Sequence, residues 1–182
     1  QWNKLNDIHK CNSGDYKING NIVNEEEGKA YIEQLRKMNF CCLGRAGFGK
    51  SELITMLFNK EDTLILGPTN RTAEELKDRI GDSSRIRTLD SEFYQSEDRE
   101  TLMKSVKLLI IDEFSMVTGK WWNKIYELYR NNKDLNIIVF GDKNQCPPVQ
   151  TRYVDYFEKK FFHDICGNNL IEKQYCEKCC RY

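Results

Sequence analysis

Apolar positions along the chain switch repeatedly between a helical and an extended period. Residues 25–38 place Tyr31, Leu35 and Met38 on one helical face. Phe40-Cys41-Cys42-Leu43 is then a short, continuous apolar run. Strand candidates recur at 63–66, 85–89, 108–111 and 136–140. Helical stretches fall between them, near 50–59, 71–80 and 119–131, with Gly81 positioned to stop the second. Strands alternating with helices of this length predict an α/β chain built on a mostly parallel, doubly wound sheet. Residues 1–24 are polar and rich in Asn, Gly and Lys, with isolated aromatics at Trp2 and Tyr16. They read as a loosely structured lead-in.

Composition narrows the picture without supplying a function. A chain of 182 residues suits one domain with an appended segment. Its 28 basic residues balance 28 acidic ones, so a nucleic-acid partner has to be argued from local sites rather than from net charge. A hydrophobic content of 40% supports a core. No stretch approaches the roughly 18 apolar residues of a membrane span. No secretory pattern is present either, so an intracellular setting is expected, and in it the eight cysteines read as thiols rather than a disulfide frame. The chain opens on Gln1 instead of Met, which suggests processing or a fragment.

Chemistry first appears at Gly44-Arg45-Ala46-Gly47-Phe48-Gly49-Lys50-Ser51, which reads G-x-x-x-x-G-K-S. The apolar run before it and Leu53, Ile54, Leu57 and Phe58 after it give the strand, loop and helix that phosphate binding requires. Glycines allow the backbone N–H groups to turn inward, and a helix N-terminus adds partial positive charge. Gly44, Ala46, Gly47, Gly49, Lys50 and Ser51 are therefore the expected nucleotide-binding set. Lys50 would reach the β- and γ-phosphates, and the Ser51 hydroxyl would ligate Mg²⁺. The bland alternative, a glycine turn followed by a chance Lys-Ser, leaves the flanking pattern unexplained.

Leu108-Leu109-Ile110-Ile111 has the pattern of a buried strand and delivers Asp112-Glu113 at its C-terminal end, where open α/β sheets collect ligands. Asp112 would hold Mg²⁺ through water, and Glu113 would act as general base toward the attacking water. Alone, an Asp-Glu pair after a strand is an ordinary solvated turn; the phosphate loop changes that balance. Further on, Gly141-Asp142-Lys143-Asn144-Gln145-Cys146-Pro147-Pro148-Val149 turns another strand end into a stiff loop. Its Gln145 amide can hydrogen-bond a γ-phosphate without adding charge. The turn at Gly67-Pro68-Thr69-Asn70-Arg71-Thr72-Ala73 offers Thr69 and Asn70 to polynucleotide phosphates, with plain N-capping as the competing reading.

Together these segments resemble the first RecA-like domain of superfamily 1 DNA helicases, in the RecD-like 5′-to-3′ branch, with virus-encoded members closest in style. GRAGFGKS (44–51), GPTNRTA (67–73), IIDEFSM (110–116) and GDKNQCPPV (141–149) carry the likeness, which covers roughly residues 25–182. The resemblance implies a P-loop NTPase with ATP and Mg²⁺, acting as a motor on single-stranded DNA. It implies a DNA-contacting segment at Thr88-Leu89-Asp90-Ser91, where Asp90 replaces the family's His. It also implies an arginine against the γ-phosphate at Arg181. Phe48 replaces a small hydroxyl residue, and Glu25-Glu26-Glu27 occupies the neighbourhood of the adenine-reading glutamine. On this reading 25–160 is the RecA-like ATPase domain. Residues 161–182 connect it to a second RecA-like domain expected downstream.

Rival readings attach to other residues. His163 and Cys166 followed by Cys176, Cys179 and Cys180 resemble zinc ligands, although the gap between the pairs is short and the family likeness gives the stretch another task. A zinc-stapled or truncated nucleotide-binding interaction module is therefore one alternative. A P-loop small-molecule kinase is another, but it would need a lid rich in arginine. Trp121-Trp122 could stack bases, yet their spacing with Ile125, Leu128 and Tyr129 predicts core packing.

Overall fold

In a computed structural model, which describes residues 1–82, 84–94, 103–144 and 159–177, the apolar runs become strands buried along their length. The chain begins with β1 (Asn3–Lys4), then β2 (Ile8–Lys10), β3 (Tyr16–Ile18) and β4 (Asn21–Val23). There follow α1 (Glu25–Arg36), β5 (Phe40–Leu43), α2 (Lys50–Leu57), β6 (Thr63–Gly67), α3 (Asn70–Ile80), β7 (Ile86–Thr88) and α4 (Leu89–Tyr94). The remaining elements are β8 (Leu108–Ile111), a 3₁₀ turn at Phe114–Met116, α5 (Gly119–Asn131), β9 (Asn136–Gly141), α6 (Lys160–Ile165) and β10 (Asn169–Glu172).

Local chemistry sets the helix ends. Asn24 caps α1 by accepting the Glu27 N–H at 2.9 Å, and Glu25, Glu26 and Glu27 face the positive end of the helix dipole. Thr69 caps α3, and Gly81 closes it in the left-handed conformation at φ 79°.

The main sheet has seven strands in the order β1-β10-β5-β9-β8-β6-β7, and every pairing is parallel. Alternate residues of each strand feed opposite layers. Cys41, Leu66, Leu109, Ile111, Ile137 and Val139 pack with Phe114, Trp122 and Ile125 on one face. On the other, Phe40, Cys42, Ile65, Ile110 and Ile138 pack with Leu35 of α1, Leu53 and Leu57 of α2 and Leu76 of α3. This is the doubly wound α/β arrangement expected from the pattern, and Trp121 and Trp122 belong to its core.

Two expectations are corrected here. Residues 1–24 are not a loose lead-in: β1 joins the edge of the main sheet beside β10, and β2, β3 and β4 form a separate antiparallel sheet. Polar composition concealed this because the strands are very short and take their burial from elsewhere. Ile8 is fully covered, and the Tyr16 ring lies against Gly28 of α1, where a Cβ would collide with it. Likewise, the described part of 161–182 is not simply a connector. β10 lies between β1 and β5, pairing Ile171 with Cys42, so the folded sheet extends past residue 160.

Both corrections meet in one buried ion pair. The Lys173 ammonium lies 2.7 Å from Asp7 Oδ1 and donates to the Ile8 carbonyl at 2.6 Å. Removing residues 1–24 leaves that ammonium without its carboxylate and strips cover from the α1 face. Breaking a buried pair typically costs about 3–5 kcal/mol. A chain starting at Glu25 should therefore lose at least about 3 kcal/mol in urea unfolding. Unchanged stability would show that these residues are peripheral.

Candidate functional site

The register of the parallel sheet aligns strand ends along one edge: Leu43 of β5 pairs with Gly141 of β9 and with Glu172 of β10. At this edge the chain leaves β5, and the Gly44 N–H donates to the Gly141 carbonyl at 3.1 Å. Gly47 and Gly49 have φ of 83° and 95°, in the left-handed region that glycine enters without Cβ strain. Gly49 is the N-cap of α2, and no side chain caps that helix. The N–H groups of its first turn are therefore left to the loop's concave side, with the dipole's partial positive charge. Lys50 Nζ donates to the Gly44 carbonyl and so spans the loop. Ala46 sits at the exposed tip, and Ser51 is half-buried in the first turn of α2.

Asp112 and Glu113 emerge from β8, separated from β5 by β9 alone. Glu113 has φ 54° and ψ 53°, an uncommon conformation for a residue with a Cβ, and it starts the 3₁₀ turn. Phe114 within that turn packs against Gly141, where a Cβ would run into the ring. This contact ties the carboxylate-bearing turn to the neighbouring strand end. Asp112 Oδ1 accepts the Glu113 N–H at 2.9 Å, and the Asp112 N–H donates to Leu66.

The electrostatics are unbalanced at this point. Burial, then the Glu113 charge, pushes the Asp112 carboxyl up to about 7, against the Glu113 N–H and Lys50, which favour its ionised form. Burial also raises Glu113; Lys50 opposes this, while Asp142 and Glu75 reinforce it. Glu113 Oε2 is buried with no hydrogen-bond partner among the described residues. Asp142, a nearby carboxylate to which no role was assigned from sequence, accepts the Asn144 N–H at 2.9 Å.

The other expected residues are partly gathered along the same edge. Gly67 and Thr88 are register partners, so the turns carrying Thr69 and Thr88 are neighbours. Both hydroxyls cap helices: Thr69 accepts the Thr72 N–H at 3.2 Å, and Thr88 accepts the Ser91 N–H at 3.1 Å. Asn70 is exposed in the first turn of α3. Gln145, Pro147, Pro148, Cys179, Cys180 and Arg181 lie outside the described residues. Of the candidate zinc ligands, Cys166 is fully buried beside Cys41, whereas the His163 ring stacks on Trp2 with centroids 4.2 Å apart. Among the described residues no three His, Cys, Asp or Glu side chains gather in a metal-binding group.

Sequence reading missed the opposite flank of the phosphate loop. A Cβ on Gly44 would come within 2.8 Å of Lys173 Cβ, and one on Gly49 would lie 3.4 Å from His9 Nδ1. His9 and Lys173 are both held by Asp7. Burial would raise that carboxyl, but His9, Lys173 and the Gln174 N–H outweigh it and hold Asp7 below its usual range. Beside them is a cavity of about 320 Å³ lined by His9, Lys17, Asn19, Gln174, Tyr175 and Cys176. Tyr175 faces Phe48 of the loop with ring centroids 5.8 Å apart. Asp7 and Lys173 stand at opposite ends of the chain, and no spacing rule connects them.

Comparison with known proteins identifies the family and the fold. The sequence profile of the family described as "AAA domain" matches residues 27–151, more than half of the chain. Among solved structures, Bacteroides sp Pif1 in complex with ADP-AlF4 matches with TM-score 0.55 and 25% identity, over 71% of this chain and 34% of that one. Unliganded Bacteroides sp Pif1 matches with TM-score 0.52 and 27% identity, over 81% and 36%. The Candida albicans Pif1 helicase shares the fold at TM-score 0.58 and 24% identity, over 86% and 41%. The chain thus spans between a third and a half of the length of these helicases. Among curated proteins no match is found. The chain belongs to the AAA domain family and has the fold of the first RecA-like domain of Pif1-type superfamily 1 helicases.

Proposed function

We propose that this chain is the ATP-hydrolysing motor domain of a DNA helicase that couples turnover to movement on single-stranded DNA and to duplex unwinding. One observation carries the reading: the left-handed glycines and uncapped helix of the phosphate loop share a sheet edge with the paired carboxylates of β8. The solved Bacteroides structures include one with ADP-AlF3 and single-stranded DNA, which supports the same pairing of ligands here.

A divalent cation fits the donor set. Asp112 and Ser51 supply hard oxygen ligands, and the raised Asp112 carboxyl and unpartnered Glu113 oxygen mark an excess of negative charge that a cation would relieve. Mg²⁺ bound with ATP would neutralise charge on the terminal phosphates. The chain's own residues do the rest. Gly44, Ala46, Gly47 and Gly49 shape the backbone cradle, and Lys50 meets the β- and γ-phosphates. Glu113 orients the attacking water and takes its proton. Gln145 senses the γ-phosphate in this reading, and Arg181 supplies positive charge against it. Thr69, Asn70 and Thr88 line the neighbouring turns toward DNA, where their backbone and side-chain groups meet phosphates. A second RecA-like domain would form the far wall of both sites.

Replacing Lys50 with Ala should weaken Mg-ATP binding by about 10–100-fold, the range expected for one charge-assisted contact. Equal ATP affinity by titration would remove the phosphate-loop assignment. Glu113→Gln should retain binding while turnover falls about 10²–10⁴-fold, since an amide cannot accept the proton. Undiminished hydrolysis in that variant would assign the base elsewhere.

The raised Asp112 carboxyl sets a pH dependence. Its folded-state value of about 7 exceeds the ordinary 3.8, so the folded protein holds this proton more tightly than the unfolded chain. The resulting stability is full below the ordinary value and is lost as pH rises toward 7. Without ligand, the melting temperature of Asp112→Asn relative to wild type should therefore increase between pH 4 and pH 7. Parallel melting curves for the two proteins would contradict this. Mg-ATP affinity of the wild type should fall in the opposite sense, weakening as pH drops below 7.

A further inference from the structure

His9 belongs to the segment that reads as a lead-in, yet its ring is buried against the phosphate loop. Four donors converge on Asp7. Oδ1 accepts the Ile8 N–H at 2.7 Å and faces the Lys173 ammonium at 2.7 Å. Oδ2 accepts the Gln174 N–H at 2.7 Å and lies 3.0 Å from His9 Nε2. A carboxylate surrounded in this way accepts only, so Nε2 must carry the hydrogen. In the neutral ring Nδ1 is then an acceptor. It is buried, lacks a hydrogen-bond partner among the described residues and lies 3.4 Å from the position of a Cβ on Gly49.

A buried polar group almost always has a hydrogen-bond partner, and beside a ligand site a donor on the ligand can be that partner. The phosphates of a nucleotide are acceptors and cannot fill this role; its donors are the sugar hydroxyls and the N–H groups of the base. Gly49 is part of the phosphate cradle, and the first donors a nucleotide presents next to its phosphates are those of the sugar. The cavity of about 320 Å³ is lined by His9 and Tyr175, which approach Gly49 and Phe48 of the loop, and is large enough for a nucleoside.

We propose that His9, oriented by Asp7, accepts a hydrogen bond from a sugar hydroxyl of the bound nucleotide and makes the site selective for ribonucleotides. The proposal rests on the reading of residues 44–51 as the nucleotide site. A purely structural His9 would keep its Asp7 contact with Nδ1 unmet, and nucleotide affinity would not depend on it.

Direct competition tests the proposal with the 182-residue chain at pH 8, using ATP, 2′-dATP, 3′-dATP and inorganic triphosphate. Loss of one hydrogen bond that leaves a buried acceptor unmet is worth about tenfold. Wild type should bind ATP about tenfold more tightly than at least one of the two deoxynucleotides. His9→Phe should bind ATP and that analogue alike, at the weaker level, with triphosphate affinity unchanged. His9→Gln, which restores an acceptor, should recover part of the preference. Equal affinity of wild type for all three nucleosides' triphosphates overturns the assignment without recourse to a variant. Persistence of the preference in His9→Phe overturns it as well. Failure of wild type to bind even inorganic triphosphate would instead bring down the phosphate-loop reading, and the His9 proposal with it.

Discussion

With helices packed against both of its faces, a parallel sheet has little free surface except at the strand ends. In this chain every pairing of the main sheet is parallel, so those ends gather by direction, with loops after β5, β6, β7, β8 and β9 all leaving from one edge. The phosphate loop, the Asp112–Glu113 turn, the Asp142 loop and the turns at Thr69 and Thr88 are neighbours for that reason. Their separation along the chain is immaterial. A single antiparallel strand at β8 would send the carboxylates to the far edge, away from the phosphate loop.

Charge is handled differently on the two flanks of that loop. On the β9–β8 side, the Glu113 charge acts on Asp112 and the Asp142 charge on Glu113, with Lys50 as the opposing charge, and burial raises both members of the Asp-Glu pair. That flank is suited to receive a cation along with phosphate. On the β10 side, Asp7, Lys173 and the backbone N–H groups compensate one another within a buried cluster. Here the balance supports shape, because the Lys173 stem fills the space beside Gly44 that any side chain would need. A loop that must hold its N–H groups inward is thus packed from behind by a neutral strut and left electrostatically open in front.

Much of the central sheet was legible because its strands are continuous apolar runs. Phe40-Cys41-Cys42-Leu43 and Leu108-Leu109-Ile110-Ile111 are buried at every position, and each apolar run has the bounds of its strand. β10 carries no legible signature, since Asn169-Leu170-Ile171-Glu172 contains only two apolar residues and precedes a Cys-x-x-Cys spacing. The small antiparallel sheet has no legible pattern because strands of three residues leave no period to read. Its stability derives from docking on α1 and on the loop flank, which are contacts and not patterns.

What the sequence determined by itself was local: the strand-loop-helix that shapes a phosphate cradle, the acidic pair at a strand end, and the caps that start α1 and α3. Each depends on residues within a few positions of one another, where backbone geometry follows directly from residue type. Tertiary structure alone decided that Lys173 and His9 flank the loop, that Asp7 meets Lys173 and that His9 turns a nitrogen toward Gly49. A buried ion pair between residues at opposite ends of the chain is specified by strand order and register, and these are properties of the assembled sheet that no local pattern encodes.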